Sequence, residues 1–267
     1  MDVIRTGKIH YLSPCFESTA PATIQGFTTR HEGVSRPPYN SLNLGTTTED
    51  SPHNVEGNRS VLTRTFGISQ EQLVTVRQNH GSDLLVIDTP NDDLGHFLGI
   101  EADGIITNQP STMIGVTVAD CVPILLYDPA RKVIAAVHAG WQGTAAAIVA
   151  RAVQGMQSIF DSAPSGIMAA IGPCINPCCY QVDQPVKDGF KGQPELWQAV
   201  SEPDGDGKWR LDLALANRMQ LEDAGLSPAN IQTAGNCVSC QKDLFFSYRR
   251  DDGETGRQMG FIMLKAE

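Results

Sequence analysis

Two hydrophobic periods run along this chain. Beyond residue 144, apolar residues at Ala145, Ile148, Val149, Ala152, Val153, Met156 and Phe160 follow helical spacing, which predicts one long amphipathic helix. Elsewhere, short apolar runs bounded by turn residues predict strands at Ile24–Thr29, Leu73–Val76, Leu84–Ile87, Asp103–Thr107, Met113–Val118, Val122–Tyr127, Val133–Val137 and Ile167–Ile171. Residues 1–22 lack either pattern and read as an irregular start. Ser51-Pro52 supplies an N-cap and a proline at the first helical position, opening a helix to about Phe66 with Val55, Leu62 and Phe66 on one face. Residues 182–200 predict short helices, and Gly205-Asp206-Gly207 a turn. Asp212 caps a helix running to Ala224, with Gly225 just past its end. Two or three short strands complete the chain between Ile231 and Leu264. Strands and helices mix without an internal repeat or linker, so the expected fold class is α+β: mixed β-sheets flanked by helices in a single compact domain spanning residues 1–267.

The stretch from Met113 to Thr144 frames one cysteine and one histidine. Its apolar runs flank Asp128-Pro129-Ala130-Arg131-Lys132, and Asp followed by Pro is a turn former, so the runs form a β-hairpin. A turn centred between Pro129 and Ala130 sets Cys121 directly opposite His138, with Cβ atoms roughly 4.5–5.5 Å apart on a shared face. A longer loop would move that register. Neither strand alternates cleanly, which implies a sheet covered on both faces. After His138 the small residues Ala139-Gly140-Trp141-Gln142-Gly143 turn into the long helix, whose N-terminus suits an anion.

A thiolate beside an imidazole is able to hold a metal or to act as a Cys–His couple. Catalytic zinc sites use three protein ligands and leave a fourth position open. Among the six histidines, His80 is the candidate third ligand, because Gln78-Asn79-His80-Gly81 lies in or beside a tight turn between two strands. His10, His31, His53 and His96 fall in turn-rich or terminal segments and are expected in solvated loops. A second group, Cys174 with Cys178 or Cys179, Cys237 and Cys240, is a candidate four-thiolate zinc site.

Charge and composition narrow the partners. Thirty acidic against twenty basic residues give a formal net charge of −10, without a run of Lys or Arg, which argues against nucleic acid or an anionic membrane and for small solutes. No stretch approaches the roughly 18 apolar residues of a membrane span, and Met1–Leu12 has no secretory apolar region. Seven cysteines, an odd number, then predict reduced thiols or metal ligands in a cytoplasmic protein. HExxH, the H-x-E of zinc deaminases, the P-loop and a strand-linked G-x-G-x-x-G are all absent.

Gln78-Asn79-His80-Gly81, Ala119-Asp120-Cys121-Val122-Pro123, His138-Ala139-Gly140-Trp141, Gly172–Tyr180 and Phe246-Ser247-Tyr248-Arg249-Arg250 together resemble the YfiH family of laccase-domain or "polyphenol oxidase" proteins, across nearly the whole chain. The resemblance implies mixed sheets flanked by helices, related to the Cys–His domain of a bacterial toxin. It implies zinc, rather than the less favoured copper, held by His80, Cys121 and His138. It also implies phosphorolysis of adenosine, inosine and methylthioadenosine, with adenosine deamination. An alternative is a Cys–His amidase editing peptidoglycan precursors, with Cys121 as nucleophile and His138 as base. Another is a metal-binding protein without catalysis. Arg59, Trp141 and Arg249 are the candidate substrate and phosphate residues. Arg250 is expected in a salt bridge. Asp120 is an acid/base candidate by adjacency, although strand alternation would point it away from Cys121. Gln142 stands where the family usually carries Arg. Six histidines without a His-x-His pair are too few for a multicopper oxidase.

Overall fold

The computed structural model describes residues 1–16, 22–90, 97 and 99–266. Strands β1 (Asp2–Thr6) and β2 (Ile9–Ser13) form a hairpin where the hydrophobic pattern predicts an irregular start. β1 is almost wholly exposed, so burial imposes no alternation on it, and Gly7 at φ +56° makes the turn. Then come β3 (Thr23–Thr28), α1 (Pro52–Thr65), β4 (Leu73–Val74), β5 (Leu84–Ile87), β6 (Gly104–Thr107), β7 (Met113–Val118), β8 (Val122–Asp128) and β9 (Val133–Ala139). α2 (Trp141–Ala145), α3 (Ile148–Phe160), β10 (Met168–Ile171), β11 (Gln181–Val182), α4 (Gln184–Gly189) and α5 (Pro194–Val200) follow. β12 (Ser201–Pro203), β13 (Trp209–Leu211), α6 (Leu213–Asp223), β14 (Ile231–Thr233) and β15 (Gln258–Leu264) complete the order.

Two six-stranded mixed sheets dominate, in the orders β1-β2-β3-β15-β7-β4 and β14-β10-β8-β9-β6-β5. β7 and β15 of the first sheet pack against β8 and β9 of the second. Alternation along the first sheet divides its side chains. Met113, Met259, Phe261 and Met263 join Leu62 of α1 in one apolar cluster, while Ile114, Val116 and Ile262 point into the larger core shared with the second sheet. The outer face of the second sheet is covered by α3, on which α6 packs. Both faces of β8 and β9 are therefore buried, as their unbroken apolar runs predict. This is an α+β fold of mixed sheets flanked by helices.

The helical run after residue 144 is two helices rather than one. The Thr144 carbonyl accepts from the Ala147 amide (2.9 Å) and from Gln220 Nε2 (2.8 Å), and Asn217 Nδ2 donates to Thr144 Oγ1 (2.9 Å). These contacts from α6 close a tight turn, and Ala147 takes a left-handed φ of +56° before α3 begins. Periodicity in the sequence runs straight through the break because residues on both sides still face the core. Asp212 caps α6 through the Leu215 amide at 2.8 Å, and Gly225 follows at φ +97°.

Phe261 is fully buried between Tyr11 and Phe66, at ring separations of 5.6 and 5.2 Å. Phe261→Ala should lower the unfolding free energy by about 3–5 kcal/mol through lost burial and a residual cavity. Urea unfolding with an unchanged m value is the check.

Candidate active site

The chain passes between the two sheets twice at one place. From β7 it crosses to β8 through Ala119-Asp120-Cys121, and from β4 to β5 through a segment containing Gln78-Asn79-His80-Gly81. The second crossing is shaped by its own side chains. Gln78 clamps β7, accepting from the Thr117 amide at 2.8 Å and donating to the Thr117 carbonyl at 2.9 Å. Asn79 Oδ1 accepts from the Gly81 amide at 3.0 Å, and His80 takes φ +62°. Both crossings thus deliver a residue able to ligate a metal to the end of β9, where His138 sits.

The hairpin register differs from the predicted one. Asp128 pairs with Val133 and Pro123 with His138, so Cys121 lies one step beyond the ladder. Four residues make the loop instead of two, because Asp128 Oδ1 accepts the amides of Ala130 (2.9 Å) and Arg131 (3.2 Å) and Lys132 turns at φ +54°. The offset is two positions along β8, and a shift of two keeps a side chain on its face. Cys121 therefore still meets His138. Its Sγ and one ring nitrogen each of His80 and His138 lie within 4.8 Å of one another, and the two imidazoles stand edge to face with centroids 4.8 Å apart. Gly140 is required there. A Cβ on it would come within 3.1 Å of His80 Cδ2 and 3.2 Å of Cys121 Sγ.

Asp103 holds the group together. Fully buried at the head of β6, its Oδ1 lies 2.7 Å from His138 Nδ1 and accepts from the His80 amide at 3.0 Å, while Oδ2 accepts from the Gly81 amide at 2.6 Å. The carboxylate accepts a hydrogen bond from Nδ1–H of His138, which in the neutral ring leaves the lone pair on Nε2. Burial pushes the Asp103 carboxyl up, but these hydrogen bonds and the His138 charge hold it below the usual range. Burial likewise raises the Cys121 thiol, yet His138 and then His80 outweigh it and bring the thiol down to about 6. Burial lowers His138, and the Cys121 sulfur with Asp103 outweighs this and raises it to about 9. Without a metal these opposite shifts favour a thiolate beside an imidazolium. Two imidazoles and an easily ionised thiol, with a carboxylate behind one imidazole and a cavity in front, match the donor set of a catalytic zinc site.

The cavity has a volume of about 550 Å³ and is lined by His80, Cys121 and His138 together with Trp141, Gln142, Tyr180, Arg249 and Arg257. Trp141 and Arg249 thus stand where a substrate would meet them. Arg249 is held by the Gln181 carbonyl at 2.8 Å and lies 5.2 Å from the Tyr180 ring centroid. Arg59 does not line the cavity. It is buried under α1 and donates to Thr75 Oγ1 at 2.6 Å, with desolvation lowering it to about 10. Arg250 forms its expected salt bridge, to Asp251 at 2.7 Å, and also binds the carbonyls of Val238 and Phe245. Asp120 lies in a turn at φ +94°, so strand alternation does not apply to it, and it is among the residues lining the cavity. It accepts from Ser247 Oγ and the Arg249 amide, both at 2.6 Å. Burial lifts its carboxyl above the usual range despite those bonds.

Asp103 and Arg257 escape sequence reasoning. An Asp heading an apolar strand is the only trace of the first, and Arg257, far along the chain, carries no motif. His10 and His31 are partly buried, with rings 5.9 Å apart, rather than solvated, because β2 and the loop after β3 pack together. His53 is exposed in the first turn of α1. His96 lies outside the described residues. Of the second cysteine group, Cys178, Cys179, Cys237 and Cys240 converge within 4.8 Å, whereas Cys174 is buried apart from them, its sulfur 3.8 Å from Asn176 Oδ1. Cys121, Cys174, Cys178, Cys179, Cys237 and Cys240 form no disulfide.

Zinc held by these residues should bind about 10–100-fold more weakly in Asp103→Asn, since a neutral amide oxygen accepts the Nδ1–H bond without the negative charge of a carboxylate. Competition with a chromophoric chelator measures it. In metal-free protein, Cys121 should alkylate rapidly at pH 7 and slow only as the pH falls through about 6. An ordinary thiol with pKa near 9 would be only ~1% thiolate at pH 7. Iodoacetamide kinetics followed by peptide mass mapping distinguish the two.

No helix among the described residues is long and apolar enough to cross a membrane. "Purine nucleoside phosphorylase YlmD" of Geobacillus stearothermophilus is 37% identical over 253 residues, covering 91% of each chain. "Purine nucleoside phosphorylase" of Deinococcus radiodurans is 37% identical over 251 residues, covering 94% of this chain and 93% of that one. The crystal structure of Bacillus licheniformis hypothetical protein YfiH superposes with a TM-score of 0.89 at 35% identity, covering 97% of both chains. Residues 24–265 match the family model described as "Multi-copper polyphenol oxidoreductase laccase", and this chain belongs to that family, with YfiH and YlmD among its relatives.

Proposed function

We propose that this protein is a zinc-dependent purine nucleoside phosphorylase, acting on adenosine, inosine and methylthioadenosine, with adenosine deaminase activity at the same site. The observation that carries the reading is the convergence of His80, Cys121 and His138 on one wall of a cavity of about 550 Å³ whose rim carries Arg249 and Arg257. The names of the relatives support the substrate class. His80, Cys121 and His138 would hold the zinc, which when bound supplies a Lewis acid that polarises the reacting centre and acidifies water.

The remaining steps fall to the chain itself. Phosphorolysis needs an anion held beside the sugar and a proton for the departing base. Arg249 and Arg257 are the cations that reach the cavity, and they are better placed than buried Arg59 to bind phosphate. They offer the positive charge that Gln142 does not. Arg257 is fixed by the carbonyls of Thr255 and Gly256 at 2.7 and 3.0 Å and lies 5.5 Å from the Tyr248 ring centroid. Among the described lining residues Asp120 is the one carboxyl, and its raised affinity for protons suits the donor to the leaving base. Trp141 and Tyr180 give flat apolar surface for the purine.

A second reading keeps its place because Cys121, His138 and Asp103 also line up as nucleophile, base and orienting acid. That arrangement serves a metal-free amidase on peptidoglycan precursors. His80 separates the two. Under the zinc reading, His80→Ala and Cys121→Ser should each lose metal and phosphate-dependent turnover of adenosine and inosine in parallel, by at least about 100-fold for a lost ligand. Metal content and nucleoside turnover measured on one sample decide the matter. A metal-free His80→Ala protein with full nucleoside turnover would overturn the zinc reading.

A further inference from the structure

We propose that Cys178, Cys179, Cys237 and Cys240 form a second metal site, a four-thiolate zinc site that ties the loop after β10 to the loop after β14. The site is independent of the cavity chemistry above. β10 and β14 are parallel neighbours at the edge of the second sheet, so their following loops leave from the same end. The loops are already zipped together. The Cys174 amide donates to the Asn236 carbonyl at 3.3 Å and the Val238 amide to the Cys174 carbonyl at 3.0 Å. Beyond this zip one loop turns at Pro177–Cys179 and the other at Val238–Cys240, and the two turns present their sulfurs to each other.

The spacing is that of ligands around one ion. The four sulfurs lie within 4.8 Å of one another, with Cys179 and Cys240 at 3.4 Å, Cys178 and Cys240 at 3.7 Å, and Cys178 and Cys179 at 3.8 Å. A tetrahedron of sulfurs about 2.3 Å from zinc has edges of about 3.8 Å. Core packing does not account for the cluster, since Cys178 and Cys240 are exposed while a cysteine used as a small hydrophobe is buried. Cys174 shows that bland use nearby, at 2% exposure. The amides of Asn176 and Cys240 are directed at the Cys237 sulfur, as N–H groups commonly are at ligating thiolates. Four sulfur donors without a carboxylate select a soft or borderline ion, and tetrahedral spacing selects zinc.

The site's place gives it a consequence. The first loop ends in Tyr180 and the second runs on to Tyr248 and Arg249, and all three line the cavity. An ion at the cluster therefore braces one wall of the cavity from behind without touching it.

The test uses the whole chain, purified under reducing conditions with zinc supplied. Wild-type protein should hold two zinc ions per chain, the His80→Ala variant one, and a Cys237→Ser/Cys240→Ser double variant one. Should the double variant fail to fold, unmodified protein still decides. Zinc should slow alkylation of Cys178, Cys179, Cys237 and Cys240 by at least tenfold relative to chelated protein, as mapped by peptide mass spectrometry, in His80→Ala as well as in wild type. Cobalt in the His80→Ala variant should give the intense sulfur-to-cobalt absorption and visible bands of a tetrahedral four-thiolate site. A His80→Ala variant that holds no zinc, equal alkylation of the four thiols with and without zinc, or recovery of these cysteines as disulfides would each overturn the proposal.

Discussion

The Asp103 carboxylate is the contact on which the candidate site depends. One buried group accepts from the ring of His138, on β9, and from the backbone of the crossing that carries His80. It thereby fixes two ligating residues from distant parts of the sequence relative to each other. A buried carboxylate is costly unless its oxygens are paired, and here the pairing is supplied by the groups it positions. Asp103 immediately precedes β6, and β6 pairs with β9, so the register of the second sheet sets Asp103 beside His138.

The two sheets explain why the site lies where it does. A chain that leaves one sheet for the other must pass through non-ladder backbone, and at the two crossings His80 and Asp120 take positive φ. Such backbone is free to aim side chains in directions a strand does not allow. Cys121 and His80 reach the site through this freedom, while His138 comes from the rigid end of a fully buried strand. The third side of the cavity has a different origin. Asp120 accepts from Ser247 and the Arg249 amide, so the Cys121 crossing also anchors the segment bearing Tyr248 and Arg249.

The zinc and thiolate–imidazolium readings share this geometry and differ in what balances the charge. Cys121 loses its proton easily because the His138 charge and hydrogen bonds from His138 and His80 favour the thiolate over the effect of burial. A divalent ion would supply the same field more strongly and would need His138 neutral, which the Asp103 contact accommodates by holding Nδ1–H. His80 has no part in a simple nucleophile and base couple, and its presence at the same point favours the ion.

Much of this was legible along the chain. Burial on both faces of β8 and β9, the start of α1 at Pro52, the cap of α6, and the meeting of Cys121 with His138 follow from local pattern, since a two-residue error in register preserves the face. The helix break at Ala147 was not legible, because Thr144 is held by Asn217 and Gln220, more than seventy residues away in sequence. Nor were Asp103 and Arg257, whose roles come from what they touch rather than from neighbours in sequence. Cys174 and Cys178 look alike as letters in one segment, yet only the turn at Pro177–Cys179 separates the buried thiol from the clustered ones. Sequence by itself determined the periodic elements and the chemical kinds of the candidate ligands, because hydrophobic period and side-chain chemistry are local properties. Tertiary structure decided which of those ligands share a point and what stands behind them, because only the packing of two sheets brings the crossings, the end of β9 and Asp103 together.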